Sequence, residues 1–138
     1  FIGDVDDGKV KRIRKAVEDA VAGEHAFEIR LRGAGCFPNR KRPSVIWIGV
    51  EPEDVLKRIS DRISENLRAS NVSFDEKPFK GHITIGRCKG PAEVDGFLDR
   101  YKGTEFHRFT CDSILVMRSE LSPAGAKHTV LERIEIPM

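Results

Sequence analysis

Cysteine is scarce in this 138-residue chain, and its three copies, Cys36, Cys88 and Cys111, lie far apart. No CxxC pair exists, which excludes the usual zinc ribbon, and an odd count argues against a disulfide framework. A reduced, cytoplasmic compartment is the expectation. Long apolar runs are absent too. None approaches the ~20 residues of a membrane span, and no secretory signal pattern opens the chain. Neither charge sign dominates, since 24 Lys+Arg against 22 Asp+Glu leaves a formal +2. That is too little to hold long nucleic acid by counterion release alone, though a short RNA end in a local basic pocket fits it. Position 1 has no methionine. Phe1-Ile2-Gly3-Asp4-Val5 reads like a strand end running into a turn, so residues upstream are expected.

What remains is a globular balance, 39% hydrophobic and 33% charged, enough for one domain with a core and a heavily charged surface. Asp6 and Asp7 precede apolar residues at Val10, Ile13, Val17, Ala20 and Val21, the spacing of one helix face, with Gly23 suited to its stop. Residues 26–32 alternate, with Phe27, Ile29 and Leu31 on one side of a half-buried strand. Residues 33–43, rich in Gly, Pro and basic groups, read as a loop. Residues 45–50 are almost all apolar and predict a strand buried on both faces. A second helix over 52–69 carries Val55, Leu56, Ile59, Ile63 and Leu67. A short strand follows over 82–87. Pro91 suits the first position of a third helix bearing Val94, Phe97, Leu98 and Tyr101. Strands are expected over 105–111, 114–119 and 128–136. Helices and strands alternate early and strands dominate late, which favours α+β over a doubly wound parallel sheet.

The chemistry concentrates in Gly81-His82-Ile83-Thr84-Ile85-Gly86-Arg87. Alternation along a strand puts His82 and Thr84 on one face and Ile83 and Ile85 on the other, where they would anchor in the core. The same rule places Gly86 on the polar face, adding no bulk, and turns Arg87 away from His82 unless the strand bulges. An imidazole moves protons near neutral pH, and a threonine hydroxyl can donate to a phosphoryl oxygen whose charge an arginine offsets. A lone His-x-Thr is also common by chance and is then structural.

The surroundings separate these readings. Lys77-Pro78-Phe79-Lys80-Gly81-His82-Ile83-Thr84-Ile85-Gly86-Arg87 resembles the second motif of the RNA 2',3'-cyclic phosphodiesterases, also called 2'-5' RNA ligases, of the 2H phosphoesterase superfamily. That motif has Phe, two residues, then His-x-Thr-x-x-Arg. Phe37-Pro38-Asn39 followed by Val45-Ile46-Trp47-Ile48-Gly49-Val50 is similar to the stretch between the family's two motifs. Residues 114–119, Gly125 and Val130-Leu131 match its closing strand pair. The first motif commonly reads His-x-Thr-Leu-x-Phe-x-Gly. Phe1-Ile2-Gly3-Asp4-Val5 matches only its tail, so the part carrying the first histidine is expected ahead of Phe1. Where many relatives have Tyr before the last strand, this chain has Lys127-His128.

The resemblance implies one 2H phosphoesterase domain over 1–138, truncated at its N-terminus. It implies two lobes, each an antiparallel sheet flanked by helices, with a cleft between them. It implies hydrolysis of a terminal RNA 2',3'-cyclic phosphate to a 2'-phosphate by two histidines, and the reverse 2'-5' joining. His82 and Thr84 would be catalytic, with Arg87, Phe37 and Arg42 binding substrate. RNA ends bearing the cyclic phosphate, tRNA halves among them, would be the partners, with no obligate protein partner, no membrane, no cofactor and no metal. Two rivals are a nucleotide-binding module of the same fold without catalysis, and a phosphodiesterase of small nucleotide cyclic phosphates. Several residues have plainer readings. Phe37 suits either base stacking or a structural place beside Pro38. Arg40, Lys41 and Arg42 form a basic loop of the kind usually solvated. Phe79 and Trp47 read as core, and His25, His107 and His128 as surface or structural histidines.

Overall fold

The computed structural model describes all 138 residues. They form two compact units, one of residues 1–27, 58–78 and 111–138, the other of residues 28–57 and 79–110. No helix is long and apolar enough to cross a membrane.

In the first unit, α1 (Asp7–Val21) begins where the sequence places it. Asp6 sits in extended backbone, and its side chain accepts from the Lys9 amide. Ile13, Ala16, Val17, Ala20 and Val21 make the buried face. Each large aliphatic side chain buried there contributes roughly 1.5–3 kcal/mol before entropy is counted. Helix α2 (Glu53–Ala69) passes from the second unit into the first and closes at Asn71, whose φ of 57° turns the chain so that the Val72 amide reaches the Leu67 carbonyl at 2.9 Å. Ile13, Ala16, Leu67 and Val72 form one core cluster, with Ile2, Val5, Ile63, Phe74 and Val116 against it. Glu24 ties α1's exit to α2. Its carboxylate, only 11% exposed, meets Arg58 at 2.8 Å and Arg62 at 3.2 Å. The Arg58 hydrogen bond is the main reason this carboxyl is held below its ordinary range.

Strands β5 (Ser113–Ser122) and β6 (Gly125–Glu135) pair antiparallel across a tight turn. They lie against α1, and Arg14 joins Glu132 across that contact. Both strands reach further toward the turn than the spans 114–119 and 128–136 predict, because the turn residues continue the ladder down to Ser122 and Gly125, while β6 ends at Glu135.

The second unit holds a four-stranded sheet in the order β3-β2-β1-β4, with β1 (Phe27–Phe37), β2 (Val45–Glu51), β3 (His82–Arg87) and β4 (Glu105–Cys111). β1 pairs antiparallel with β2, and β2 with β3. Several expectations are corrected here. β1 does not end at Arg32. It continues through Gly33, Ala34 and Gly35, residues whose composition reads as loop, because Ala34 and Gly35 stay paired with Ile48 and Trp47 of β2, and the Trp47 ring takes the space a side chain at Gly35 would need. β2 is half-buried throughout rather than buried on both faces. Helix α3 (Asp95–Arg100) starts four residues beyond Pro91, with Val94 at its cap, although Val94 and Leu98 are buried as the pattern requires. Ile83 and Ile85 are 45% and 49% exposed instead of anchored, since β3 is an edge strand with a neighbour on one side only.

A Cβ at Gly35 would overlap Cζ2 and Cη2 of the Trp47 indole. Gly35→Val is therefore expected to cost about 1–3 kcal/mol through overpacking. A thermal melt checks it, and an unchanged Tm would mean that the indole is not seated on this glycine.

Candidate active site

The register of the second unit's sheet maps every predicted site residue on its strands. Directly opposed residues in an antiparallel pair project to the same face. Phe37 opposes Val45, which opposes Arg87; Gly35 opposes Trp47, which opposes Thr84; and Gly49 opposes His82. One face thus carries His82, Thr84, Arg87, Trp47 and Phe37.

Arg87 reaches that face through an irregularity. The β2–β3 register shifts between Ile46 and Trp47, with Gly86 opposite Ile46 and Thr84 opposite Trp47, so Ile85 is an extra residue. A bulge of this kind resets the alternation. It moves Gly86 to the face opposite His82, correcting the expectation for that residue. It also returns Arg87 to His82's face, where strict alternation would not put it. The arginine makes no ion pair within the protein, and the Thr84 hydroxyl has no protein hydrogen bond. Both are exposed and open to a ligand.

His82 is held on three sides. Its Nδ1 lies 2.7 Å from the Lys80 carbonyl oxygen. A carbonyl only accepts, so Nδ1 carries a proton in either charge state, and Nε2 is the nitrogen that gains or gives one. Phe37 meets the imidazole edge-on at 5.2 Å between centroids, and Trp47 does so at 6.3 Å. The Lys80 ammonium lies 5.3 Å from the Trp47 ring centroid and 3.8 Å from Glu53.

Trp47, which reads as core in the sequence, is half-buried. Its ring packs between Gly35, Phe37 and the His82 edge, its buried indole N–H without a partner. Its place beside the motif is legible only through the pairing of the two strands. Arg42 lies in the loop joining β1 and β2, where its amide donates to Asn39 Oδ1 at 2.8 Å, and it is not on the sheet face. Its neighbour Arg40 is spoken for by Asp95 and Asp99 at 3.1 and 2.9 Å. Phe79 is half-buried, while His25 and His107 are exposed. In the first unit, His128 opposes Ser119 and meets its hydroxyl at 2.9 Å. No cluster of His, Cys, Asp and Glu is arranged to hold a metal ion.

This arrangement offers a proton carrier with a defined working nitrogen, a free hydroxyl, an unpaired guanidinium and a half-buried aromatic floor. Comparison with known proteins identifies the family. Residues 1–123 match the model of the 2'-5' RNA ligase superfamily. A protein of Methanothermobacter thermautotrophicus named RNA 2',3'-cyclic phosphodiesterase is 34% identical over 136 residues, covering 96% of this chain and 73% of its own length. One of Thermotoga maritima with the same name is 37% identical over 132 residues, covering 95% and 70%. A crystal structure of a Thermus thermophilus protein superposes with a TM-score of 0.76 at 29% identity over 99% of this chain and 74% of that one. E. coli LigT complexed with 3'-AMP gives 0.73 at 18% identity, covering 100% and 74%, a likeness of fold. The chain belongs to the 2'-5' RNA ligase superfamily.

Proposed function

We propose that this chain carries the second His-x-Thr half of an RNA 2',3'-cyclic phosphodiesterase site, which opens a terminal cyclic phosphate to a 2'-phosphate and in reverse joins RNA ends through a 2'-5' bond. The observation that carries this reading is the bulge at Ile85, which gathers His82, Thr84 and Arg87 on one face of β3. The names of the relatives and the family match support it. Its substrates are RNA ends bearing the cyclic phosphate, tRNA halves included. A reducing cytoplasmic setting suits three free thiols.

In the reaction, water attacks phosphorus and the P–O3' bond breaks. The water proton passes to a base, and a proton from an acid goes to the departing 3' oxygen. His82, with Nδ1 already protonated on Lys80, has Nε2 free to take the first proton. Thr84 donates to a non-bridging oxygen as charge builds there, and Arg87 offsets that charge. Phe37 offers a face to the terminal base, and Arg42 supplies positive charge from the adjoining loop. The acid belongs to the first His-x-Thr motif, which this reading places ahead of Phe1 on the strength of the motif tail Phe1-Ile2-Gly3-Asp4-Val5.

An acid and a base on opposite sides of phosphorus allow only one ribose oxygen to leave in line. The full-length protein is therefore expected to convert RNA ending in a 2',3'-cyclic phosphate to a single product, the 2'-phosphomonoester. Phosphorus NMR reads the product directly. A mixture of isomers would remove the opposed acid and base, and no hydrolysis with tight RNA binding would favour the non-catalytic binding module.

A further inference from the structure

Arg87 makes no ion pair on the sheet face that carries His82, whereas two other arginines of the sheet are neutralised by carboxylates. Arg30 opposes Glu51 and pairs with it at 3.5 Å. Arg108 pairs with Glu28 and Glu105 at 3.3 and 2.8 Å. Arg32 differs. The β1–β2 register shifts between Leu31, opposite Val50, and Ala34, opposite Ile48. Arg32 and Gly33 therefore both stand across from the single residue Gly49. Counting from Arg30, whose partner Glu51 shares Gly49's face, Arg32 falls on that face as well. His82 opposes Gly49 from the other side. Arg32, Gly49 and His82 thus lie in one row across three strands, with a glycine in the middle.

That glycine is required, and it leaves the row open. A Cβ at Gly49 would come within 2.5 Å of the Arg32 carbonyl oxygen. Gly49 itself raises no side chain in the row, and the Trp47 ring flanks it, with Cζ3 3.8 Å from where a Cβ would stand. The two outer strands are about 10 Å apart, two strand spacings. The Arg32 side chain leans from the row toward the β4 side, so the span from imidazole to guanidinium is longer than this, on the order of one nucleotide plus the contacts at its two phosphates. The guanidinium is also held in place. Arg32 Nε donates to the Gly103 carbonyl at 3.2 Å, in the turn before β4. The Gly33 amide pins the same turn through Thr104 at 2.9 Å. One of five N–H groups is used, and no carboxylate pairs with the charge. Glu105 takes its hydrogen bond from Arg108 and feels Arg32 only at longer range.

We propose that Arg32 binds the internal phosphodiester next to the terminal cyclic phosphate and so makes the site prefer an RNA strand to a free cyclic mononucleotide. An oriented, unpaired guanidinium is suited to a phosphate, and an internal phosphodiester is the feature that a strand has and a mononucleotide lacks. This rests on the reading of His82 as the centre that handles the cyclic phosphate.

The test compares Arg32→Gln and Arg32→Lys with the wild type in the full-length protein. The substrates are an RNA trinucleotide ending in a 2',3'-cyclic phosphate and a 2',3'-cyclic mononucleotide. Arg32→Gln is expected to lower the ratio of kcat/KM, trinucleotide over mononucleotide, by about 10–100-fold, through KM, as loss of a hydrogen bond to a charged group implies. Arg32→Lys should keep part of the preference. The fold is checked by a thermal melt, since Gln retains a donor for Gly103. Binding of a fluorescent trinucleotide ending in a 2'-phosphate should lose roughly 0.7 from its salt slope in Arg32→Gln, the value for one phosphate contact on a single strand. An unchanged kcat/KM ratio with an unchanged salt slope overturns the assignment of Arg32. An equal loss on both substrates also overturns it, because it places the arginine at the reacting phosphate or in the fold. Wild-type protein that hydrolyses neither substrate, yet binds the trinucleotide through Arg32, would overturn the catalytic reading and leave the phosphate site standing.

Discussion

His82→Ala in the full-length protein is expected to slow hydrolysis of an RNA 2',3'-cyclic phosphate by about 10²–10⁴-fold, the range of a lost general acid or base. The loss should fall on kcat, since proton transfer belongs to the transition state. Folding should survive. The imidazole is exposed on an edge strand, and its partners are one backbone carbonyl and the edges of two half-buried rings. The pH profile gives a second readout that mere structural damage would not move. With Nδ1 donating to the Lys80 carbonyl, proton transfer runs through Nε2 alone, and the wild-type profile should carry a limb that His82→Ala lacks. A folded His82→Ala protein with wild-type rates would end the catalytic assignment. A lost rate with both limbs of the profile intact would make His82 a positioning residue.

Much of the scaffold behind that histidine is legible in the residues. Helix α1 announces itself through Asp6, the spacing of Ile13, Val17 and Ala20, and Gly23 beyond its end; α2 does so through its apolar stripe. The ends of β3 coincide with the predicted ones, because the alternating segment is short and Gly81 precedes it. The misses have a common cause, in that local composition does not reveal pairing. Gly33-Ala34-Gly35 looks like loop until the Trp47 ring is seen to need the room. Arg87 looks misdirected until the extra residue Ile85 is counted against Ile46. Arg32 looks like one basic residue among many until a second bulge sets it opposite Gly49. Ile83 and Ile85 fit a core pattern, yet a strand at a sheet edge has less to bury them against. Alternation predicts faces within a strand, and bulges, which are invisible to it, decide which side chains meet across strands.

Thr84→Val should cost about as much as the low end of the range for the histidine and be gentler on the fold. Thr84 opposes Trp47 in the β2–β3 pair, and its hydroxyl makes no hydrogen bond within the protein. Valine keeps the branched shape and the strand preference, and leaves no protein group unsatisfied. Stability should therefore hold within experimental error. In the proposed reaction the hydroxyl donates to a phosphoryl oxygen whose charge grows as water adds. Removing a donor of this type costs about 10²–10³ in kcat where the site is closed to water, and this exposed threonine belongs at the lower end, ~10². KM should stay nearly constant, because a donor aimed at developing charge does little for the ground state. Thr84→Ser, which restores the donor without the methyl, should recover most of the rate. Steady-state kinetics on all three proteins with one RNA substrate decide the matter. A rise in KM at constant kcat would make Thr84 a ground-state contact. A serine variant as slow as the valine one would assign the effect to the methyl group and remove the hydroxyl from the chemistry.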